Sequence, residues 1–335
     1  MKGSKRTSIL FLAALFVALA LLPKLIPAYA LSVVINLIIY ALFAWSFNML
    51  WGYGGLLCFG NAAHFGVGAY VAIFCYKYFE LPLVVGVLGG AVASAILGMM
   101  FAVFLSRYRG ITFALLSVAF NQFIFVTAEK WRSVTNGDDG MSGQRPDFYL
   151  PGYGHISMLS DAHWYYFVVI VVGLSLAYCY FFGKTPLGRL NVCMRENEER
   201  TGFIGFNTYA ARFWVYVVAA FFAGIAGALA SSYQEFVAST YISVDRGTDS
   251  LIMTIVGGSG TFWGPIMGSV FLTFFSDIVS SMTKHWRIVQ GLLFVGLVMF
   301  APRGIAGLLS LLKEWLKELF RVKGAAEENV EGVDR

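Results

Sequence analysis

The stretch "LVVGVLGGAVASAILGMMFAVFL", residues 83–105, carries no charged side chain in 23 positions. An α-helix rises about 1.5 Å per residue and a bilayer's hydrocarbon core is about 30 Å thick, so roughly 20 apolar residues make one crossing. Within it Gly86, Gly90, Ser94 and Gly98 recur every four positions. That spacing lines one helix face with small residues, the pattern by which helices approach closely inside a membrane. The stretch therefore reads as a membrane span that packs against neighbours.

The same reading extends in both directions. The chain of 335 residues is 58% hydrophobic and only 13% charged, whereas a soluble domain carries about a quarter charged residues. Further spans are expected near 8–23, 31–50, 62–79, 111–130, 164–183, 212–232, 266–283 and 287–301. The segment 249–260 is apolar but about half the length a crossing needs. Counted as a partial span, it gives an all-α, polytopic transmembrane helical bundle of about ten spans, including broken or partial helices, with both termini on one side.

Lys and Arg are retained on the cytoplasmic face, which fixes the orientation. With the N-terminus inside, the inner segments hold sixteen of the 24 basic residues against nine acidic ones, and the outer segments eight against ten. N-in, C-in is the expectation. The opening "MKGSKR", an apolar run and "AYA" at 28–30 imitate a secretory signal, but Pro23 and Pro27 interrupt the approach to that site. An uncleaved first span is expected.

Cys58, Cys75, Cys179 and Cys193 show no C-x-x-C spacing, and His64, His155, His163 and His285 no ligand spacing. No metal site and no cofactor are expected. "GKT" at 183–185 lacks the glycine that a phosphate-binding loop needs five positions earlier, where Tyr178 stands. Ionisable residues at membrane depth are nearly lacking in the sequence pattern, with Asp277 the main exception, so a proton or sodium relay is not indicated. Work for uphill movement would come from a partner.

Against this background "NVCMRENEERTGFIGFN", residues 191–207, packs Arg195, Glu196, Glu198, Glu199 and Arg200 into six positions. Residues 187–204 can form a helix beneath the membrane, with Leu187, Leu190, Met194 and Phe203 available for apolar contact and the charges facing the cytosol. Arg195 with Glu199 and Glu196 with Arg200 are each four apart, so internal pairs can lace such a helix. A solvated surface helix and a handle for a partner both satisfy this pattern.

"RENEERTGFIGFN" resembles a segment of the inner-membrane permease subunits of ATP-binding cassette importers for branched-chain amino acids. Arg195, Glu196, Asn197, Glu198, Gly205 and Asn207 are in register with the family's pattern, and Glu199, Arg200, Thr201 and Gly205 fit the spacing of the importers' cytoplasmic loop. "RGITFALLSVAF" at 109–120, "TNGDDGMSG" at 135–143, "GGSGTFWGPIMG" at 257–268 and "APRGIAGLL" at 301–309 are similar to four further family segments in the expected order. The chain departs from the family in "LCFGNAAHFGVGAY" at 57–70, where His64 occupies a usually aromatic position.

The resemblance implies a single transmembrane permease domain over 1–323 in a bacterial inner membrane, with no enzymatic activity of its own. It moves branched-chain or related neutral amino acids, with urea, short amides or nucleosides as alternative cargo; an ion-coupled carrier is the reading from another class. The implied partners are a second, homologous permease subunit, cytoplasmic ATP-binding subunits and a soluble substrate-binding protein, besides membrane lipid. No nucleic acid is expected. Residues 187–204 become the coupling helix, with Arg195, Glu196, Asn197, Glu198, Glu199, Arg200 and Gly205 facing the ATPase.

Glycine-rich breaks at membrane depth can line a protein-enclosed cavity, offering backbone groups to a zwitterion. Two stretches qualify, 54–68 and 257–265. Candidates for the substrate path are Asn61, His64, Asn121, Gln122, Gly257, Gly258, Ser259, Gly260 and Thr261. The loop 131–163 is expected outside, with Asp138 and Asp139 at its tip as docking candidates for the binding protein. Residues 308–323 show an apolar stripe that suits an interfacial helix, and 324–335 read as a disordered tail.

Overall fold

The computed structural model describes residue 23 and residues 26–150, 154–156, 158, 160–300 and 304–307. The first expected span, the 308–323 helix and the 324–335 tail lie outside the described residues. The described chain forms α1 (Ala28–Asn48, continued by a π-helical turn Met49–Tyr53), α2 (Asn61–Phe79), α3 (Leu83–Leu105) and α4 (Gly110–Lys130). After the short α5 (Arg132–Thr135) come α6 (Asp161–Phe182), α7 (Pro186–Phe203) and α8 (Thr208–Gln234). Then follow α9 (Val244–Gly257), α10 (Gly264–Met282) and α11 (Trp286–Phe300). Among the described residues, seven helices are long and apolar enough to cross a membrane.

α2 is not one of those seven, although it has 19 residues. Its polar Asn61 and His64 are buried inside the protein, so its surroundings are other helices rather than hydrocarbon, and a uniformly apolar surface is not required of it. α8 is the most deeply buried helix and packs against α2 and α3. Small residues make that possible. A methyl group at Gly90 would lie 2.5 Å from the Gly68 carbonyl oxygen, and one at Gly68 would strike the backbone of Gly224. Ser94 adds a hydrogen bond from its Oγ to the Ala220 carbonyl at 2.7 Å. The four-residue stripe read from α3 is thus the seam of the core.

Three helix starts are set by short polar caps. Thr185 accepts from the Gly188 amide at 3.2 Å ahead of α7, with Pro186 at its first position. Asn207 caps α8 through Ala210 at 3.0 Å, and Ser243 caps α9 through Arg246 at 3.3 Å. Each cap satisfies an amide that the helix itself leaves free.

The 131–160 segment joins the ends of α4 and α6 that lie away from α7. In it β1 (Met141–Ser142) pairs antiparallel with β4 (Phe236–Val237), and β2 (Phe148–Leu150) with β3 (Gly154–Ile156). Asn136 stands at φ 61° and closes the turn by donating to the Gly140 carbonyl at 2.9 Å. Arg145 ties the segment to the bundle, forming an ion pair with Glu235 at 2.9 Å beneath the rings of Trp164 and Tyr233. Asp138 and Asp139 are exposed at the turn.

The half-length segment expected at 249–260 is α9, fourteen residues long. Its chain breaks at Gly258, where φ is 114°, and re-enters as α10. A methyl group at Gly257 would collide with the Gly264 carbonyl, and one at Gly268 with the Met253 carbonyl. The α9 and α10 backbones therefore form a tightly apposed hairpin.

Candidate functional site

α7 differs from the uninterrupted helix expected over 187–204. Asn197 is extended, at φ −159° and ψ 101°, so a first helix ends at Glu196 and a short second one begins. The Asn197 side chain caps that second helix by accepting from the Arg200 amide at 2.9 Å. This break removes the four-residue register on which the Arg195–Glu199 and Glu196–Arg200 pairs depended.

The charges reach other elements instead. Glu198 forms ion pairs with Arg109, just ahead of α4, at 3.0 Å and with Arg212, in the second turn of α8, at 3.2 Å. Arg212 is buried and also donates to the Tyr108 carbonyl at 3.2 Å. The expectation that Glu198 faces water is therefore corrected. Its side chain is only 14% exposed, because two basic residues from distant helix ends converge on it.

Arg195 extends in a different direction. Its guanidinium donates to the Gly52 carbonyl, and its stem lies against Gly55. Gly260 stands beside the same guanidinium, close enough that a methyl group there would lie 3.0 Å from it. Asn48 fixes this meeting point. Its Oδ1 accepts from the Gly260 amide at 2.9 Å, and its Nδ2 donates to the Thr261 carbonyl at 3.1 Å. The Trp45 indole donates to the Phe262 carbonyl at 3.0 Å. Asn191 of α7 donates to the Met49 carbonyl at 3.3 Å.

The two glycine-rich breaks thus meet each other, and both meet α7. The π-helical turn that ends α1 frees backbone carbonyls from the regular ladder, and α7 side chains occupy two of them. Gly257 to Thr261 lie in this junction, at the α7 end of the bundle. Gly257 and Gly258 are buried, while Ser259 and Thr261 are exposed.

The remaining substrate-path candidates do not share one surface. Asn61 is sealed and donates to Ser46 Oγ at 3.1 Å, and Asn121 is sealed and donates to the Ile242 carbonyl at 2.8 Å. His64 Nε2 lies 3.0 Å from the Tyr216 hydroxyl, between that ring and Phe101. Gln122 is exposed on α4.

The outer surface of α7 carries the groups left for a partner. Glu196, Glu199 and Arg200 are exposed. Beyond them Phe203, Ile204 and Phe206 are exposed apolar side chains around Gly205, whose φ of 97° turns the chain back toward α8. A groove of about 440 Å³ runs beside them, lined by Lys184, Arg189, Leu190, Cys193, Ile204 and Phe206. Sequence reading assigned Phe203 to packing and Glu198 to solvent; the break at Asn197 exchanges them. The signal available was Asn197 itself, a residue that favours the start of a helix over its interior.

Sequence reading also passed over charge on α9. Arg246 donates to the Tyr40 hydroxyl at 3.1 Å, and Asp249 accepts from Gln290 at 3.1 Å. Among the described residues no group of three His, Cys, Asp or Glu side chains is placed to hold a metal ion.

Comparison with known proteins agrees with this architecture. Residues 29–299 match the family described as the permease component of the branched-chain amino acid transport system. The chain is 23% identical over 323 residues to the high-affinity branched-chain amino acid transport system permease protein LivM of Salmonella typhimurium. It is 22% identical over 323 residues to the LivM protein of Escherichia coli. In each case 90% of this chain and 76% of the relative are covered. No solved structure matches the chain significantly. With a match that spans most of its length, from the first described helix to the last, the chain belongs to the family of branched-chain amino acid transport system permease components.

Proposed function

We propose that this chain is a membrane subunit of an ATP-driven importer, forming part of the path by which branched-chain amino acids cross a bacterial inner membrane. The subunit hydrolyses nothing itself. A second, homologous permease, a pair of cytoplasmic ATP-binding subunits and a soluble binding protein complete the assembly. In this reading the N-terminus and α7 face the cytoplasm and 131–160 faces outward, toward the binding protein.

The observation that carries the proposal is the way α7 is attached. Its inner side grips the bundle at separate places, through Arg195 on Gly52 and Glu198 on Arg109 and Arg212. Its outer side leaves Glu199, Arg200, Phe203 and Phe206 uncovered. Packed elements move as rigid bodies, so a partner that displaces α7 displaces the end of α1, the α9–α10 hairpin and the starts of α4 and α8 with it. Arg195, Glu196, Asn197, Glu198, Glu199, Arg200 and Gly205 thereby divide into two classes. Arg195, Asn197 and Glu198 transmit, while Glu196, Glu199, Arg200 and the turn at Gly205 meet the ATPase.

The test is uptake of radiolabelled leucine by proteoliposomes holding the purified complex, with binding protein outside and ATP within. Uptake should require ATP and the binding protein and be indifferent to an imposed ion gradient. Uptake that survives without ATP and collapses with the ion gradient would overturn the reading.

A further inference from the structure

At the end of the bundle opposite α7, a cleft of about 330 Å³ opens between α1, the end of α8, α10 and the start of α11. Sites for small molecules begin at about this size. Its walls are polar for a cleft within apolar helices: Asn36, Tyr40, Gln234, Thr273, Ser276 and Asp277 line it, with Val33 and Trp286 as apolar surfaces. Thr273 Oγ1 is shielded from solvent and has no hydrogen-bond partner among the described residues.

The two ends of the cleft differ in sign. Asp277 supplies a carboxylate that is held in place by the Tyr29 hydroxyl, which reaches both oxygens at 2.9 and 3.0 Å. A carboxylate offers about four acceptor positions, so a cation can still be bound. On another wall Tyr40 receives its hydrogen bond from Arg246, whose guanidinium lies over the Tyr40 and Tyr241 rings. A hydroxyl that accepts from a guanidinium keeps its own proton to donate, and the positive charge behind it strengthens that donation toward an anion. Gln234 accepts from the Tyr241 hydroxyl at 2.8 Å, which leaves its amide nitrogen as a second donor.

We propose that this cleft binds the free zwitterionic amino acid on this subunit, its ammonium on Asp277, its carboxylate on Tyr40 and Gln234 with Arg246 behind, and its side chain against Val33 and Trp286. The proposal rests on the permease reading above and adds to it a receiving site distinct from the soluble binding protein. One end of the cleft thus carries the Asp277 carboxylate and the other lies in front of the Arg246 guanidinium, which the Asp249 carboxylate faces from behind. A zwitterion supplies one charge to each end, whereas an amine or a carboxylic acid satisfies one end alone.

The probe is protection of a cleft cysteine in the purified complex, with no binding protein present. Cys75 and Cys193 are first replaced by serine, since Cys58 and Cys179 are buried. Ser276→Cys and Ser280→Cys are then labelled, one at a time, with a membrane-impermeant maleimide. Leucine at about twice its dissociation constant should slow labelling about threefold, the factor 1 + [L]/Kd. Isoamylamine and isocaproate, each lacking one charge of leucine, should protect far less. Asp277→Asn should abolish protection by leucine, the rate with leucine being compared with the same variant's own rate without it.

Equal protection by all three compounds, no protection by leucine at either position, or cysteines that do not label even without ligand would each overturn the proposal. ATP-dependent leucine uptake by the parent complex, measured in parallel, separates the two readings. Uptake without protection defeats this site alone, and loss of ATP-dependent uptake defeats the importer reading.

Discussion

Glu198 and Arg212 lie 3.2 Å apart across the joint between α7 and α8, with side-chain exposures of 14% and 5%. Arg109 closes the other side of the same carboxylate. A charge withdrawn from water costs several kcal/mol unless it is paired, so this trio acts as a joint whose members depend on each other. Glu199, the next residue, is exposed and has no such role.

Glu198→Gln should therefore destabilise the permease, because Arg212 is left without its carboxylate. Breaking such a pair costs about 3–5 kcal/mol. Glu199→Gln should stay within about 0.5 kcal/mol of the parent, as surface changes do. Glu198→Gln with Arg212→Gln should recover part of the loss, since the one charge left without its partner, Arg109, is about half exposed and can be solvated. Thermal unfolding of the three variants in detergent checks this. Equal midpoints for Glu198→Gln and Glu199→Gln would show that the ion pairs add nothing to stability.

The exposed apolar turn after α7 makes a contrasting case. Phe203 is 89% exposed and Phe206 54%, so Phe203→Ser with Phe206→Ser should leave the melting midpoint of the isolated permease nearly unchanged. Buried aromatic anchors at an interface contribute about 2 kcal/mol or more each. Co-purification of the ATP-binding subunits should thus fall by well over tenfold, and transport with it. Full recovery of those subunits by the double variant would place the ATPase contact elsewhere.

At the junction of the two breaks, Asn48→Ala removes the acceptor of the Gly260 amide and the donor to the Thr261 carbonyl. Each buried polar group left unmatched costs about 1–3 kcal/mol. The 258–263 turn should loosen, and a cysteine placed at Ser259 should react faster with a maleimide than it does in the Asn48 background. An unchanged rate would mean that the turn is held by other contacts.

The core seam offers a test of close approach. A side chain at Gly224 would meet Ser94 and the Gly90 carbonyl, so Gly224→Val should overpack the core, at a cost of about 1–3 kcal/mol or more. Gly291 and Gly296 of α11 have open space where a Cβ would stand. Gly291→Ala and Gly296→Ala should be neutral or slightly stabilising, because alanine is the better helix former. Expression level and monodispersity in detergent distinguish the two groups.

Orientation is checked with single cysteines and an impermeant thiol reagent in intact cells. A cysteine at Asp138 should label and one at Glu199 should not, since these positions lie at opposite ends of the bundle. Labelling confined to the second position would invert the assigned topology.

Much of this protein was legible in the linear sequence because the relevant physics is local. Helix length against bilayer thickness marks the seven helices that, among the described residues, are long and apolar enough to cross a membrane, and a four-residue recurrence of Gly and Ser identifies the face on which α3 meets its neighbours. Glycine clusters mark where the backbone leaves the helix, as it does at Gly258 and Gly260. None of this requires knowing which helix lies beside which.

The destinations of the polar side chains were decided only by tertiary structure. Sequence spacing offered Arg195 a neighbour one turn away, Glu199, and left Glu198 to the cytosol, yet Arg195 reaches a carbonyl 143 residues distant and Glu198 two arginines from separate helix ends. A single extended residue, Asn197, shifts which side of α7 faces the bundle. Tyr29 and Asp277, 248 positions apart, likewise meet only because α1 and α10 are packed together. Composition and periodicity fix what each segment prefers to bury. Which charge finds which partner depends on the order in which helices assemble around α8, and that order is a property of the whole chain.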